Sequence, residues 1–199
     1  SADPVTVASD SVTANVNVQM TVLGTITGTI TNTSNTPLPD ICANTFDENG
    51  RFTGYDRTGA DGKYRVGGLA TGSYRVRFVD CGQNNYINEY YDNQQDPDLS
   101  TTVAVTSGQE SSNINAQLAR GGSIAGTVTN SSSQNLKDVC VRAYDADGHK
   151  IADARTDVSG NYRVIRLVTG TYRLRFTDCG DNNVLTEFYD NKQDLDTAN

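Results

Sequence analysis

The chain has 199 residues, a hydrophobic share of 36%, no tryptophan and a formal net charge of −8. An excess of carboxylates repels nucleic acid backbones and anionic membrane surfaces at long range, so neither is an expected partner. No apolar run approaches the roughly 20 residues that span a bilayer, and the wealth of Thr, Ser, Asn, Gly and Val suits strands and tight turns better than helices.

In chain order, the opening "SADPVTVASDSVTANVNVQM" reads as two short strands, "PVTV" and "NVNVQM", with Val5, Val7, Val16, Val18 and Met20 on the apolar side of a period-two alternation. From residue 24, strands are predicted in "TITGTIT", "DICANTFD", "RFTGYDR", "KYRV", "SYRVRFV", "TVAVT" and "NINAQL", with the turn signals "DENG", "GADG" and "LATG" between them. About seven short antiparallel strands in under 100 residues is the pattern of a sandwich. The text then repeats: Gly24 and Gly122, Cys42 and Cys140, Tyr64 and Tyr162, and Cys81 and Cys179 are all 98 residues apart. At that offset the opening segment falls on "STTVAVTSGQESSNINAQL" near residue 100, the part that closes a repeat, and the final "TAN" falls on the opening "SAD". The expected fold class is therefore all-β, with two tandem immunoglobulin-like (prealbumin-like) sandwich repeats of about 98 residues, out of phase with the chain ends.

The run "GGSIAGTVTN…LKDVCVRAYDADG…ARTDVSGNYRVIRLVTGTYRLRF", with its counterpart in the first repeat, resembles the carboxypeptidase regulatory-like domains, relatives of the transthyretin-like and Cna-B-type modules of bacterial surface proteins. The resemblance implies a β-sandwich used as a spacer, stalk or accessory module, and it carries no catalytic residues. In that pattern residues 23–120 form a complete domain, residues 121–199 a domain lacking its last two strands, and residues 1–22 a strand pair that completes a neighbouring repeat. Cna-B-type relatives can form an internal bond from a lysine on the first strand. Neither "TITGTITN" nor "SIAGTVTN" contains one.

Strand parity puts Tyr74, Val76 and Phe78, and likewise Ile41 and Ala43, toward the core, leaving Cys42 and Cys81 on the other face. The second repeat places Cys140 and Cys179 in the same way. Two cysteines per repeat, 39 residues apart, predict the bridges Cys42–Cys81 and Cys140–Cys179 and an oxidising compartment, against four free thiols. A zinc site is disfavoured by the absence of a C-x-x-C pair and by a single histidine, His149. With no cysteine beside a histidine and no G-x-S-x-G elbow, acyl-transfer catalysis has no visible machinery, and the chain is not expected to be an enzyme.

The stretch most alike in the two copies, "DCGxNNxxxE[YF]YDNxQD", is dense in oxygen ligands. Asp80, Asn84, Glu89, Asp92 and Asp96, with Asp178, Asn182, Glu187, Asp190 and Asp194, form a candidate calcium set. The competing reading is a polar loop whose side chains cap their own turns. No cofactor is required, and calcium is the candidate ion. Tyr86, Tyr90 and Tyr91 suggest a sugar platform, but Val184 and Phe188 in the second copy favour packing. The sequons at Asn32 and Asn130 sit in equivalent turns, where chance use of Asn and Ser competes with glycosylation.

Three functions are compatible with these features: a cell-surface or extracellular fibre built head-to-tail from copies of this chain by donated N-terminal strands, a spacer within a tandem-repeat adhesin or stalk, or a ligand-binding accessory module of a secreted hydrolase. The partners expected are copies of itself, with a carbohydrate or host surface as a further candidate. A membrane span is not expected.

Overall fold

The fold is that of a computed structural model, which describes residues 3–189. The first unit is a sandwich of two sheets. One sheet joins β1 (Gly24–Asn32) to β4 (Lys63–Leu69) on one side and to β8 (Glu110–Ser111) and β9 (Ala116–Leu118) on the other. The second sheet runs β3 (Phe52–Arg57), β2 (Ile41–Phe46), β5 (Gly72–Asp80) and β6 (Glu89–Tyr90), with β7 (Val103–Val105) also on β5. The alternation read from the sequence decides the inner faces. Ile26 and Ile30 of β1, Tyr64 and Val66 of β4, and Tyr74, Val76 and Phe78 of β5 meet in one buried cluster, with Tyr64 edge-on to Phe78 at 5.9 Å.

The second unit repeats this plan in the same register. β10 (Gly122–Thr127) pairs with β13 (Asn161–Leu167), and β12 (Lys150–Arg155), β11 (Val139–Tyr144), β14 (Arg173–Asp178) and β15 (Glu187–Phe188) form the other sheet. Ile26 faces Val66 across the first ladder and Ile124 faces Val164 across the second, each just past the same irregularity at the start of the strand.

The strands predicted from residue 24 onward are present, with instructive differences. β6, β8 and a short 3-10 turn at Pro97–Leu99 were not anticipated, because pieces of two or three residues have no measurable period. All ladders are antiparallel as expected except those of β8 and β9, which run parallel to β1. The chain crosses from β7 on one sheet to the far edge of the other, and this crossover sets the parallel direction. Residues 3–22 make no ladder with the rest of the chain, so "PVTV" and "NVNVQM" have no strand partners among the described residues. No helix among the described residues is long and apolar enough to cross a membrane.

Turn chemistry repeats as faithfully as the core. Gly62 (φ 70°) and Gly160 (φ 73°) occupy the left-handed region beside the first strand of each unit, where a Cβ would lie 2.5 Å from the Ile30 carbonyl oxygen and 2.7 Å from that of Val128. Asn32 Oδ1 accepts from the N–H groups of Ser34 and Thr36, and Asn130 Oδ1 from those of Ser132 and Gln134, so both sequon asparagines hold their own turns. A buried threonine hydroxyl ties the second strand to the preceding loop in each unit: Thr58 donates to Leu38 O and accepts from Ile41 N, and Thr156 donates to Leu136 O and accepts from Val139 N.

Both disulfides have the predicted partners. Cys42–Cys81 and Cys140–Cys179 span Cα–Cα distances of 5.9 and 5.7 Å. Cys42 is 7% exposed, so the face opposite the core is not open here: its partner Cys81 lies across it at the end of β5. Each bridge closes a loop of 39 residues and in a chain-entropy model contributes about 4 kcal/mol. Replacing Cys42 and Cys81 together by Ser is expected to lower the unfolding free energy of the first unit by about that amount, read from urea denaturation. An unchanged midpoint would mean that the bridge does not restrict the unfolded chain.

Candidate functional site: an open sheet edge

In the first unit, residues 103–118 close the sandwich. Val103 and Val105 of β7 and Leu118 of β9 are at most 5% exposed, and Ile114 and Ala116 pack against the same cluster. The approach of this segment to β1 is close enough to need a glycine: a Cβ on Gly28 would lie 2.0 Å from the carbonyl oxygen of Ile114. That oxygen accepts a hydrogen bond of 2.6 Å from the Tyr64 hydroxyl, and Ile114 N donates to Thr27 O at 3.0 Å. Burial, with a smaller contribution from Tyr91, raises the Tyr64 phenol above its ordinary value and keeps it a donor. Alongside, Asn115 Oδ1 accepts from Thr29 N at 2.8 Å, and Glu110 pairs with Arg65 at 2.6 Å.

The second unit retains the receiving half of this arrangement. Gly126 and Tyr162 occupy the positions of Gly28 and Tyr64, yet no described residue covers them as Ile114 covers the first pair. The consequence is visible in the core. Ile26, Ile30 and Phe78 are fully buried, whereas Ile124, Val128 and Phe176 are only partly so. Between the sheets lies a cleft of about 750 Å³, lined among others by Val128, Leu136, Val139, Phe176, Leu185 and Tyr189. It opens along the edge that β9 occupies in the first unit.

The residues predicted to fill such a slot are displayed rather than buried. Val5, Val7, Val16, Val18 and Met20 are 54 to 82% exposed. Their counterparts 98 residues on are Val103, Val105, Ile114, Ala116 and Leu118, which close the first unit. Sequence reading missed Gly28, Tyr64, Gly126 and Tyr162. A lone glycine inside each "GTITGTIT"-like strand was the available signal, since glycine within a strand often marks close backbone approach.

The oxygen-rich loops are taken up with local work. Asp80 is buried, and its two oxygens accept from Gly82 N and Tyr86 N. Asp178 accepts from Gly180 N, Asn182 Nδ2 and Asn183 N, bonds that hold its carboxyl below the usual range. Asp92 accepts from the Thr101 hydroxyl, and Asp96 caps the 3-10 turn through Asp98 N. Asn84 is exposed and offers its backbone carbonyl to Arg120. Glu187 is exposed on the rim of the cleft, and Asp190 and Asp194 lie outside the described residues. Among the described residues, the three carboxylate or imidazole groups that lie close enough to share one ion are instead Asp145, Asp147 and His149, where Asp145 Oδ1 already accepts from the N–H groups of residues 147 and 149. Tyr86 is buried and Tyr91 packs against the core, so these two rings do not form an open sugar platform.

Compared with known proteins, residues 25–119 and 123–183 each match the carboxypeptidase regulatory-like domain family. The chain is 26% identical over 143 residues to serine-aspartate repeat-containing protein D of Staphylococcus aureus (strain Newman), and 26% identical over 176 residues to serine-aspartate repeat-containing protein E of the same strain. These alignments cover 65% and 80% of this chain but only 11% and 15% of those proteins. Among solved structures, a streptococcal ancillary pilin is similar over 86% of this chain and 59% of its own, with 15% identity and a TM-score of 0.41. The Bacillus anthracis TIE protein is similar over 86% of this chain and 31% of its own, with 17% identity and a TM-score of 0.38.

Glu89 stands apart from the other loop carboxylates. It is 9% exposed, its Oε1 has no hydrogen-bond partner among the described residues, and burial pushes its carboxyl up from 4.5 to about 7. The folded state therefore binds more protons than the unfolded state between those values, so the contribution of Glu89 is fully present below pH 4.5 and is lost as pH rises through about 7. The lowered carboxyl of Asp178 acts with the opposite sign and at lower pH, below the ordinary value of 3.8. Urea midpoints measured from pH 4.5 to 8 should fall with rising pH, and Glu89→Gln should flatten that slope. A wild-type midpoint constant over the window would show Glu89 to be solvated.

Proposed function

Because the chain belongs to the carboxypeptidase regulatory-like domain family, we propose that it is a structural, non-catalytic β-sandwich element of an extracellular or cell-surface fibre, in which residues 1–22 of one copy complete the open unit of the next. Two intrachain disulfides suit an oxidising location outside the cytosol. The observation that carries the reading is the cleft lined by Val128, Leu136 and Phe176, together with an N-terminal segment whose alternation reproduces the one that closes the first unit.

Placed at the 98-residue offset, Val16 O of the donor would meet the Tyr162 hydroxyl as Ile114 O meets Tyr64. Met20 would take the place of Leu118. Burying a Val or Met side chain contributes about 1.5 to 3 kcal/mol, and the added ladder supplies the register. Closing the cleft with the donor of a single partner would need a twofold ring. Repeating the junction already present between the two units gives an open filament with no new geometry.

A second reading, a spacer within a longer tandem array, is favoured by the small share of its repeat-containing relatives that the chain covers. There the completing strands would follow in the same polypeptide. Calcium remains a candidate occupant of the oxygen-rich loops, where it would add rigidity rather than chemistry.

Electron microscopy and native mass of the purified chain separate the two readings. Fibres are expected, and deletion of residues 1–22 should stop their growth, with a peptide of that sequence capping the ends. Gly126→Val should block extension while leaving both disulfides and the far-ultraviolet spectrum intact, because the nearest atoms to its Cβ belong to the Tyr162 side chain, which can swing aside at the exposed edge. Gly28→Val should unfold the first unit by expelling Ile114. Normal assembly of the truncated chain would discard the donated strand and leave the array reading.

A further inference from the structure

The two units are joined by more than a covalent link. Asn85, in the loop after β5, receives the chain as it leaves β9. Its backbone oxygen accepts from Gly121 N at 2.8 Å, its Nδ2 donates to Gly121 O at 2.6 Å, and its Oδ1 accepts from Arg166 N, in the second unit, at 2.7 Å. Ile87 N donates to Ala119 O at 2.9 Å, and between these contacts Tyr86 and Arg120 form an antiparallel bridge with the guanidinium 5.2 Å from the ring centre. One carboxamide thus grips both the linker and the next sandwich, which fixes the angle between units.

Shifted by 98 residues, the gripping side becomes Asn183, Val184 and Leu185, and the gripped side becomes Thr21, Val22, Leu23 and Gly68. We infer that Asn183 to Leu185 form a docking face for a second copy of this chain, which presents its residues 21–23 and the backbone N–H of its Gly68. This inference rests on the assembly reading and adds to it a contact just past Met20, where the donated alternation ends, at the rim of the same cleft. Three observations support it. The backbone torsion repeats at two of the positions, Asn183 (φ 55°) matching Asn85 (φ 65°) and Gly68 (φ 78°) matching Arg166 (φ 66°), while Leu23 replaces Gly121, where a Cβ would lie 2.7 Å from the Arg166 Cα, so the segment carrying Leu23 has to stand slightly further from Gly68. The apolar groups are uncovered, with Leu185 81% and Val22 72% exposed, while Ile87 at the internal junction is half-buried.

The third is a matched exchange. Tyr86 and Arg120 pair through a cation and a ring, and at the external junction both members change together, to Val184 and Val22. A charged guanidinium on a valine would be desolvated without compensation, whereas valine on valine buries apolar surface on both sides. The exchange therefore also separates internal from external junctions and holds the copies in one order.

The test is a cysteine pair in the full chain, Val22→Cys with Val184→Cys, oxidised after assembly. A ladder of multimers on a non-reducing gel, with the new bond mapped to positions 22 and 184, is the expected result. Adding Asn183→Ala should slow cross-linking about tenfold, the effect of losing two hydrogen bonds of about 0.7 kcal/mol each. The internal pair Tyr86→Cys with Arg120→Cys should close within one chain and give no ladder, which calibrates the geometry. If the double variant folds poorly, mixing the two single variants should yield a linked dimer that neither forms alone by that bond. Fibres without the 22–184 bond would overturn this docking face and leave the donated strand standing. A chain that stays monomeric, with no bond, would overturn both.

Discussion

A carbonyl oxygen over a glycine governs how this molecule is finished. Ile114 O sits where a Cβ on Gly28 would be and takes the Tyr64 hydroxyl, and only with that segment in place are Ile26, Ile30 and Phe78 sealed from water. A sheet with one apolar face must cover it, and an uncovered edge presents unpaired N–H and C=O groups to any passing strand. The first unit meets this requirement with its own chain. The second keeps Gly126 and Tyr162, and the partial exposure of Ile124 and Phe176 accompanies the lack of such a cover among the described residues.

Around that constraint the polar residues are devoted to geometry. Asn, Asp and Thr side chains cap turns, hold loop entries and occupy left-handed backbone positions, among them Asp40 and Asp138 at equivalent points before the second strand of each unit. Asp80 and Asp178 show why dense oxygen ligands need not imply an ion: backbone N–H groups satisfy them. The disulfides add a staple where β5 and β14 leave their sheets, beside the loops that carry Asn85 and Asn183. In the first unit the disulfide and the contact to the second unit are thus built from neighbouring residues.

The acidic balance of the chain fits a role in which solubility and spacing matter more than recognition of an anionic polymer. The oxidised cysteines and the family membership are compatible with the structural role proposed above. In the proposed element, one asparagine side chain and a short backbone bridge would hold the angle between the units.

The sequence by itself determined the all-β class, the 98-residue repeat, the principal strands and both disulfide pairings, because each depends on local alternation or on two copies that can be compared position by position. It also marked residues 1–22 as an alternating segment. Tertiary structure alone decided the parallel direction of β8 and β9, the short β6, the burial of Cys42 and Glu89, and the use of loop carboxylates as turn caps. Those depend on which backbone lies across from which, and residues separated by 86 positions, such as Thr29 and Asn115, meet only after the chain has crossed between sheets. The roles of Gly28 and Asn85 were hidden for the same reason. A glycine or an asparagine is an ordinary turn-former in a linear text, and becomes a groove or a clamp only when a distant carbonyl arrives beside it.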